Sequence, residues 1–261
     1  MKNKKILGIL GGLGPMSSVY FYEMLTSHTH AERDQDHVNI LLSSRADIPD
    51  RTDFIIGKSN NNPLPAMISE VDRLTAAGAQ IIAIPCNTAH YFYRGVAENT
   101  ETPILNIIEE TVSFCKYLNI GKVGVLATEG TILSGAYKTV LEREGVEYMT
   151  CSQEDQAIIS DIIYGDIKQG KEPDIDRFLC VADSLTAHGC ERIILGCTEL
   201  SLIKKKYRLG TRFIDSLEVL TIRALTECGA TPWDFDSELM KFSEKTTKEK
   251  EEKNYATQPT S

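Results

Sequence analysis

Positive charge is scarce in this chain: 28 lysines and arginines stand against 37 acidic residues in 261, a formal net charge of -9. Without a concentrated basic patch, nucleic acid and anionic membrane surfaces are poor partners, and a small molecule is the better expectation. Long apolar runs are missing too, since no window approaches the roughly 18 to 20 residues of a membrane span. Met1-Lys2-Asn3-Lys4-Lys5 has the charge of a signal peptide, but the apolar run behind it, Ile6 to Leu10, stops at Gly11-Gly12 and reads better as a first β-strand. The expected location is cytoplasmic. The seven cysteines, at 86, 115, 151, 180, 190, 197 and 228, form no CxxC and no Cys/His pair with zinc spacing, so neither a disulfide framework nor a metal site is expected.

What the sequence does contain is a repeat. At a constant offset of 111 residues, Asp72, Leu74, Thr75, Ala76, Gly78, Ile82 and Cys86 fall on Asp183, Leu185, Thr186, Ala187, Gly189, Ile193 and Cys197, seven identities in fifteen gapless positions. Each copy reads as a helix, a glycine stop, a buried strand and then a cysteine. The strand Gly8-Ile9-Leu10 is echoed in the same way by Gly124-Val125-Leu126. Strands alternate with helical segments throughout, which argues for parallel sheets with helices on both faces.

The spacing predicts two pseudo-symmetric three-layer α/β domains with mainly parallel sheets and an active site in the cleft between them. Residues 1–107 and 214–232 would form the first domain, with the last helix packing back on it, and residues 108–213 the second. From Asp234 onward lysine and glutamate dominate and hydrophobic spacing fades, so residues 233–261 are expected to be a disordered polar tail.

In an open α/β sheet the residues just past the carboxyl ends of strands face the ligand crevice, where the next helix starts with unpaired backbone N–H groups. Cys86 and Cys197 both hold that position. A helix N-terminus stabilises a thiolate, so both thiols are expected below their ordinary pKa of about 8.5. Asn87, Thr88 and Thr198 follow directly and supply donors for a carboxylate. Equivalent thiols facing each other across a pseudo-twofold axis suit inversion at a carbon: one removes the Cα proton while the other delivers a proton to the opposite face. Donors on the carboxylate would stabilise the developing enolate-like charge. Two further readings remain open at this point: a single-thiol isomerase or decarboxylase of a small dicarboxylate, and a non-enzymatic redox or ligand-binding module in which the thiols close a disulfide. Gly11-Gly12-Leu13-Gly14-Pro15 does not complete GxGxxG and gives no nucleotide site.

Gly11-Gly12-Leu13-Gly14-Pro15, Pro85-Cys86-Asn87-Thr88-Ala89-His90 and Gly196-Cys197-Thr198-Glu199-Leu200 resemble the aspartate/glutamate racemase superfamily, specifically its aspartate racemase branch, over about residues 5 to 228. The resemblance implies a cofactor-independent, two-thiol racemase of an acidic amino acid, commonly a homodimer. The related cell-wall glutamate racemases carry Asp-Ser-Gly and Gly-Cys-Thr-His where this chain has Gly-Gly-Leu-Gly-Pro and Glu199.

Carried onto this chain, the resemblance makes Cys86 and Cys197 the acid/base pair and Asn87, Thr88 and Thr198 the α-carboxylate site. Arg51, in Ile48-Pro49-Asp50-Arg51-Thr52, and Lys168, in Tyr164-Gly165-Asp166-Ile167-Lys168, match the pair that holds the side-chain carboxylate. Thr128 and Thr131, in the loop equivalent to the glycine turn, are further carboxylate-site candidates. Glu199 either accepts a hydrogen bond from the substrate ammonium or favours its helix N-terminus, and His90 either tunes Cys86 or is hydrogen-bonded for structure. Aspartate and glutamate differ by one methylene, and the sequence does not separate them.

Overall fold

The computed structural model describes residues 4–256, and side chains through residue 249. Residues 1–3, ahead of the first strand, and 257–261, the end of the expected tail, lie outside the described residues. In chain order the first half runs β1 Leu7–Gly11, α1 Pro15–Ser27, β2 Ile40–Ser44, α2 Arg51–Ile55, α3 Leu64–Ala76, β3 Ile81–Ala83, α4 Tyr93–Ala97 and β4 Ile104–Leu105. Helix α5, Ile107–Tyr117, leads into the second half: β5 Lys122–Leu126, α6 Glu129–Leu133, α7 Ala136–Arg143, β6 Glu147–Thr150, α8 Gln153–Ser160, α9 Ile175–Ala187, β7 Arg192–Leu195, α10 Thr198–Tyr207 and β8 Phe213–Asp215. Two more helices follow, α11 Ser216–Glu227 and α12 Ser237–Ala256.

The repeat in the sequence is a repeat in the fold. One sheet has the order β2-β1-β3-β4 and the other β6-β5-β7-β8, all parallel. The strands that precede the two cysteines, β3 and β7, therefore occupy the same place in their sheets, next to the first strand of each half. Their residues are almost wholly buried, as a strand covered on both faces requires. The preceding helices end alike: Gly78 and Gly189 follow α3 and α9 with φ of +103° and +89°, the left-handed step that releases a chain from a helix and that glycine takes without a Cβ clash.

Helix α2 is started by the Asp50 side chain accepting the Asp53 N–H. Two boundaries differ from expectation. β8 pairs with β7 through Ile214 and Asp215, so a division at 213/214 would cut a strand of the second sheet. The other difference is the tail. Ser237–Ala256 is helical, and Leu239, Phe242 and Ser243 are buried against α5 and α11. Phe242 packs on Phe114 and Tyr117 with ring centroids 5.2 and 5.4 Å apart, and Ser243 and Thr226 share a 2.9 Å hydroxyl hydrogen bond. The buried positions keep helical spacing, but a serine and, at Thr246, a threonine stand where apolar residues would have shown it.

Helix α11 packs on α5, α1 and α10 and touches β3 and β4. A continuous apolar core accordingly runs from Leu7 and Ile9 of one sheet through Ile107, Val112, Leu217 and Leu220 to Val123, Val125 and Ile194 of the other. No helix among the described residues is long and apolar enough to cross a membrane.

Candidate active site

The carboxyl ends of β3 and β7 converge on one small enclosed cavity. Cys86 and Cys197 both line it, and so do Arg51, Asn87, Thr88, Thr128, Lys168, Thr198 and Glu199. Thr131 joins through its hydroxyl. Thr88, Thr128 and Thr131 form a closed triangle of buried hydroxyls 2.8 to 3.0 Å apart, with Thr88 from the first half and the other two from the second. The cavity holds only about 10 Å³, roughly the space of a single water.

The thiols differ from the sequence expectation. Both are buried, and burial pushes each of them up, Cys197 well above its ordinary value. At Cys86, Arg51 and the Ala89 backbone N–H oppose that rise while Glu199 adds to it. At Cys197, Glu199 adds to it and Lys168 opposes it. The expected lowering fails because closure of the two halves removes water from both sulfurs, and loss of solvation outweighs the backbone amides. The local geometry differs as well. Cys197 is the residue before α10, but Cys86 precedes only a short 3-10 turn, Thr88–Phe92.

Glu199 sits at the centre of the charged side of the site. Its Oε2 accepts a hydrogen bond from the Cys197 thiol at 3.0 Å, and its Oε1 lies 3.9 Å from Lys168 Nζ. The glycine turn makes room for it: a Cβ on Gly14 would stand 2.4 Å from Glu199 Oε1. Lys168 reaches this position from a π turn, Asp161–Asp166, followed by a 3-10 turn, Ile167–Gln169, and its ammonium rests 4.4 Å from the Tyr164 ring centre.

Arg51 is buried at the start of α2. Its guanidinium donates to the carbonyl oxygens of Leu13, Ile48 and Pro49 at 3.0 to 3.3 Å, and its Nε has no partner. No ion pair joins it to a carboxylate among the described residues. A buried cation held only by carbonyl dipoles, with a donor to spare, has the chemistry to take an anion.

Two expected donors turn out to be occupied. The Asn87 amide donates to Ser216 Oγ at 3.0 Å and accepts from Tyr137 OH at 2.8 Å, and Ser216 in turn donates to the Leu195 carbonyl at 2.8 Å. Its side chain thus ties the two halves together. Thr198 Oγ1 donates to the Pro85 carbonyl at 3.3 Å, another link between the halves.

His90 is structural: its Nε2 accepts the Ile107 N–H at 3.2 Å, which leaves Nδ1 to donate to the Cys86 carbonyl at 2.8 Å. Burial lowers its pKa, so the ring stays neutral. Leu13, Asp50, Thr52 and Tyr164 also line the cavity and were not anticipated. Tyr164 donates to Thr52 Oγ1 at 2.9 Å across the halves, and its place one helical turn before Lys168 was the available signal. A wider recess of about 530 Å³ adjoins the cavity and shares Asp50, Arg51, Lys168 and Glu199 with it, so these four stand between the thiols and the outside.

Residues 10–224, which span both matching parallel sheets and the cleft between them, match a family model: the chain belongs to the Asp/Glu/hydantoin racemase family. It is therefore an isomerase of the amino-acid racemase class. Over 217 residues it is 29% identical to the broad specificity amino-acid racemase RacX of Bacillus subtilis, covering 81% of this chain and 92% of that one. The aspartate racemase of Picrophilus torridus is similar in structure, with a TM-score of 0.79 and 29% identity over 92% of this chain and 99% of that one. An aspartate racemase homologue from Pyrococcus horikoshii shares the fold, with a TM-score of 0.71 at 24% identity, covering 87% of this chain and 99% of that one.

Proposed function

We propose that this chain racemises an acidic amino acid, aspartate or glutamate, without a cofactor, using Cys86 and Cys197 as a two-base pair. One sulfur, as thiolate, takes the Cα proton. The other, as thiol, gives its proton to the opposite face, and the two exchange protonation states in the turnover. The observation that carries the choice of an acidic substrate is Arg51, a buried guanidinium with an unpartnered Nε and no carboxylate of the protein paired to it. Binding a substrate side-chain carboxylate there, with Lys168 beside it, supplies the missing anion.

The α-carboxylate is assigned to the Thr88, Thr128 and Thr131 hydroxyls and to the backbone amides that open the two helical segments after the cysteines, where an anion is favoured. Glu199 is assigned to the substrate ammonium, which a carboxylate one bond shell from Cys197 can reach. An amino acid does not fit a cavity of about 10 Å³, so binding requires the halves to part, with entry past Arg51, Lys168 and Glu199. A homodimer is part of the proposal, joined through the apolar row Met16, Val19 and Tyr22 exposed along α1; light scattering on the purified chain is expected to give the dimer mass, and a monomer mass refutes it.

The deciding experiment incubates each enantiomer of aspartate, glutamate and a neutral amino acid with the protein in deuterated water, without pyridoxal phosphate. Loss of optical rotation with deuterium at Cα is expected for an acidic amino acid. Retained rotation and no exchange for both aspartate and glutamate would sink the proposal. A covalent adduct on one cysteine by mass spectrometry would point instead to single-thiol chemistry.

A further inference from the structure

Cys86 and Cys197 belong to different halves, so the distance between their sulfurs is set by non-covalent contacts, and a two-thiol reaction depends on it. One line of buried hydrogen bonds joins the segments that carry them. Tyr137, on α7, donates to Asn87 Oδ1 at 2.8 Å, the Asn87 amide donates to Ser216 Oγ at 3.0 Å, and Ser216 donates to the Leu195 carbonyl at 2.8 Å. Asn87 is the residue after Cys86, and Leu195 stands two residues before Cys197.

Tyr137 also meets the second cysteine segment directly. A Cβ on Gly196, the residue before Cys197, would stand 3.0 Å from Tyr137 Cε2 and 3.2 Å from Ala127 Cβ. The ring therefore lies against bare backbone, a close approach that glycine permits. Packing does not account for the hydroxyl: Tyr137 is 3% exposed, a phenylalanine would fill the same space, and a buried hydroxyl costs free energy unless it is hydrogen-bonded. Neither Tyr137 nor Ser216 lines the cavity between the thiols, so neither touches a substrate there. Other links between the halves, Thr88 with Thr128 and Thr198 with Pro85, are made by residues of the cavity wall, where a substrate has to enter. Tyr137 instead belongs to the core that joins the two sheets.

We infer that Tyr137 is a positioning residue that sets the spacing of the two thiols, its ring holding the Cys197 segment and its hydroxyl, through Asn87, holding the Cys86 segment. The consequence for turnover rests on the proposed two-thiol racemisation; the effect on the sulfurs themselves does not.

The test compares the full chain with Tyr137→Phe, which keeps the ring and removes the hydroxyl. When the opposite thiol is out of place, the carbanion waits. The first thiol then exchanges its captured proton with deuterated water and returns deuterium to the original face. For L-aspartate or L-glutamate, deuterium in the recovered L-enantiomer relative to the D-enantiomer formed is expected to rise at least fivefold in Tyr137→Phe, with kcat falling at least tenfold and KM little changed. Loss of folded protein alone lowers both deuterium signals together, and an unchanged ratio overturns the inference. Iodoacetamide alkylation, mapped by mass spectrometry, reads the sulfurs without turnover. Cys86 and Cys197 are both expected to react at least fivefold faster in the variant, while exposed Cys180 keeps its rate. An unchanged rate at either buried cysteine overturns the inference. A wild type that racemises neither amino acid refutes the racemase reading, and alkylation then decides the spacing by itself. If Tyr137→Phe does not fold, Ser216→Ala, which cuts the same line of hydrogen bonds between Asn87 and Leu195, takes its place with the same outcomes.

Discussion

The Cys197 thiol donates to Glu199 Oε2 at 3.0 Å, whereas the strongest charge acting on Cys86 is the opposing one, Arg51. A carboxylate beside a thiol disfavours the thiolate, so Glu199 holds Cys197 in its protonated form. Replacing it by Gln removes that charge, and the Cys197 pKa falls. For the proposed racemase, kcat/KM is expected to rise with pH through the alkaline range, and Glu199→Gln is expected to move that rise to lower pH. The enantiomers have equal free energy, so kcat/KM is the same in both directions at every pH, and the inequality of the thiols has to appear in kcat and KM separately. Full pH profiles in each direction measure this, and an unmoved limb in Glu199→Gln refutes it.

Arg51→Lys keeps the charge but loses the planar fork that spans three carbonyls. One to two charge-assisted hydrogen bonds, about 1.5 to 3 kcal/mol each, correspond to a KM for the acidic substrate raised by roughly 10- to 100-fold or more. Any turnover of a neutral amino acid is expected to change far less. Steady-state kinetics on both substrates check the contrast.

Gly14→Ala places a methyl within 2.4 Å of Glu199 Oε1. The carboxylate has to move off the Cys197 sulfur, and activity is expected to fall at least tenfold while the thermal midpoint shifts little. Glu199→Asp shortens the side chain and relieves the contact. A double-mutant cycle of the two substitutions is therefore expected to show coupling; additive effects on kcat would remove Gly14 from the argument.

Phe242→Ala empties a fully buried position between α12 and α5. Such truncations cost about 3 to 5 kcal/mol, and the loss is expected in denaturant unfolding of this variant. A change under about 1 kcal/mol would mean that α12 contributes nothing to the fold.

Burial first, and then Asp215, push Glu218 up to about 7 despite its contact with Lys204. A carboxyl whose folded pKa exceeds its unfolded value near 4.5 binds its proton more tightly in the native state. Its contribution to stability is complete below about 4.5 and is lost as pH rises through about 7. Between pH 5 and 8 the unfolding free energy is expected to decline, and Glu218→Gln to flatten that decline. An identical slope in the variant removes Glu218 as its source.

The cleft was legible because the signal for it is local: a fifteen-residue segment contains the helix end, the glycine stop, the buried strand and the thiol, and it occurs twice. Arg51, Lys168, Thr128 and Thr131 needed the family resemblance to be singled out, and the structure brings all four to the same place. What stayed hidden depends on contacts between distant residues. Nothing near Asn87 shows that Tyr137 and Ser216 will occupy its amide. The direction of the thiol shifts follows from two halves closing over both sulfurs, a property of neither half alone. Helix α12 was missed because part of its buried face is hydroxyl.

The offset that maps Cys86 onto Cys197 also maps Thr88 onto Glu199 and His90 onto Ser201. Duplication therefore copied the sulfur while its surroundings diverged, with a ring of hydroxyls beside one copy and a carboxylate with a lysine beside the other. A twofold rotation never turns one hand of a substrate into the other, so even identical halves would have presented the two enantiomers with different arrangements. What the drift of the halves adds is that the two sulfurs keep different company, and exchanging their roles is not a symmetric event.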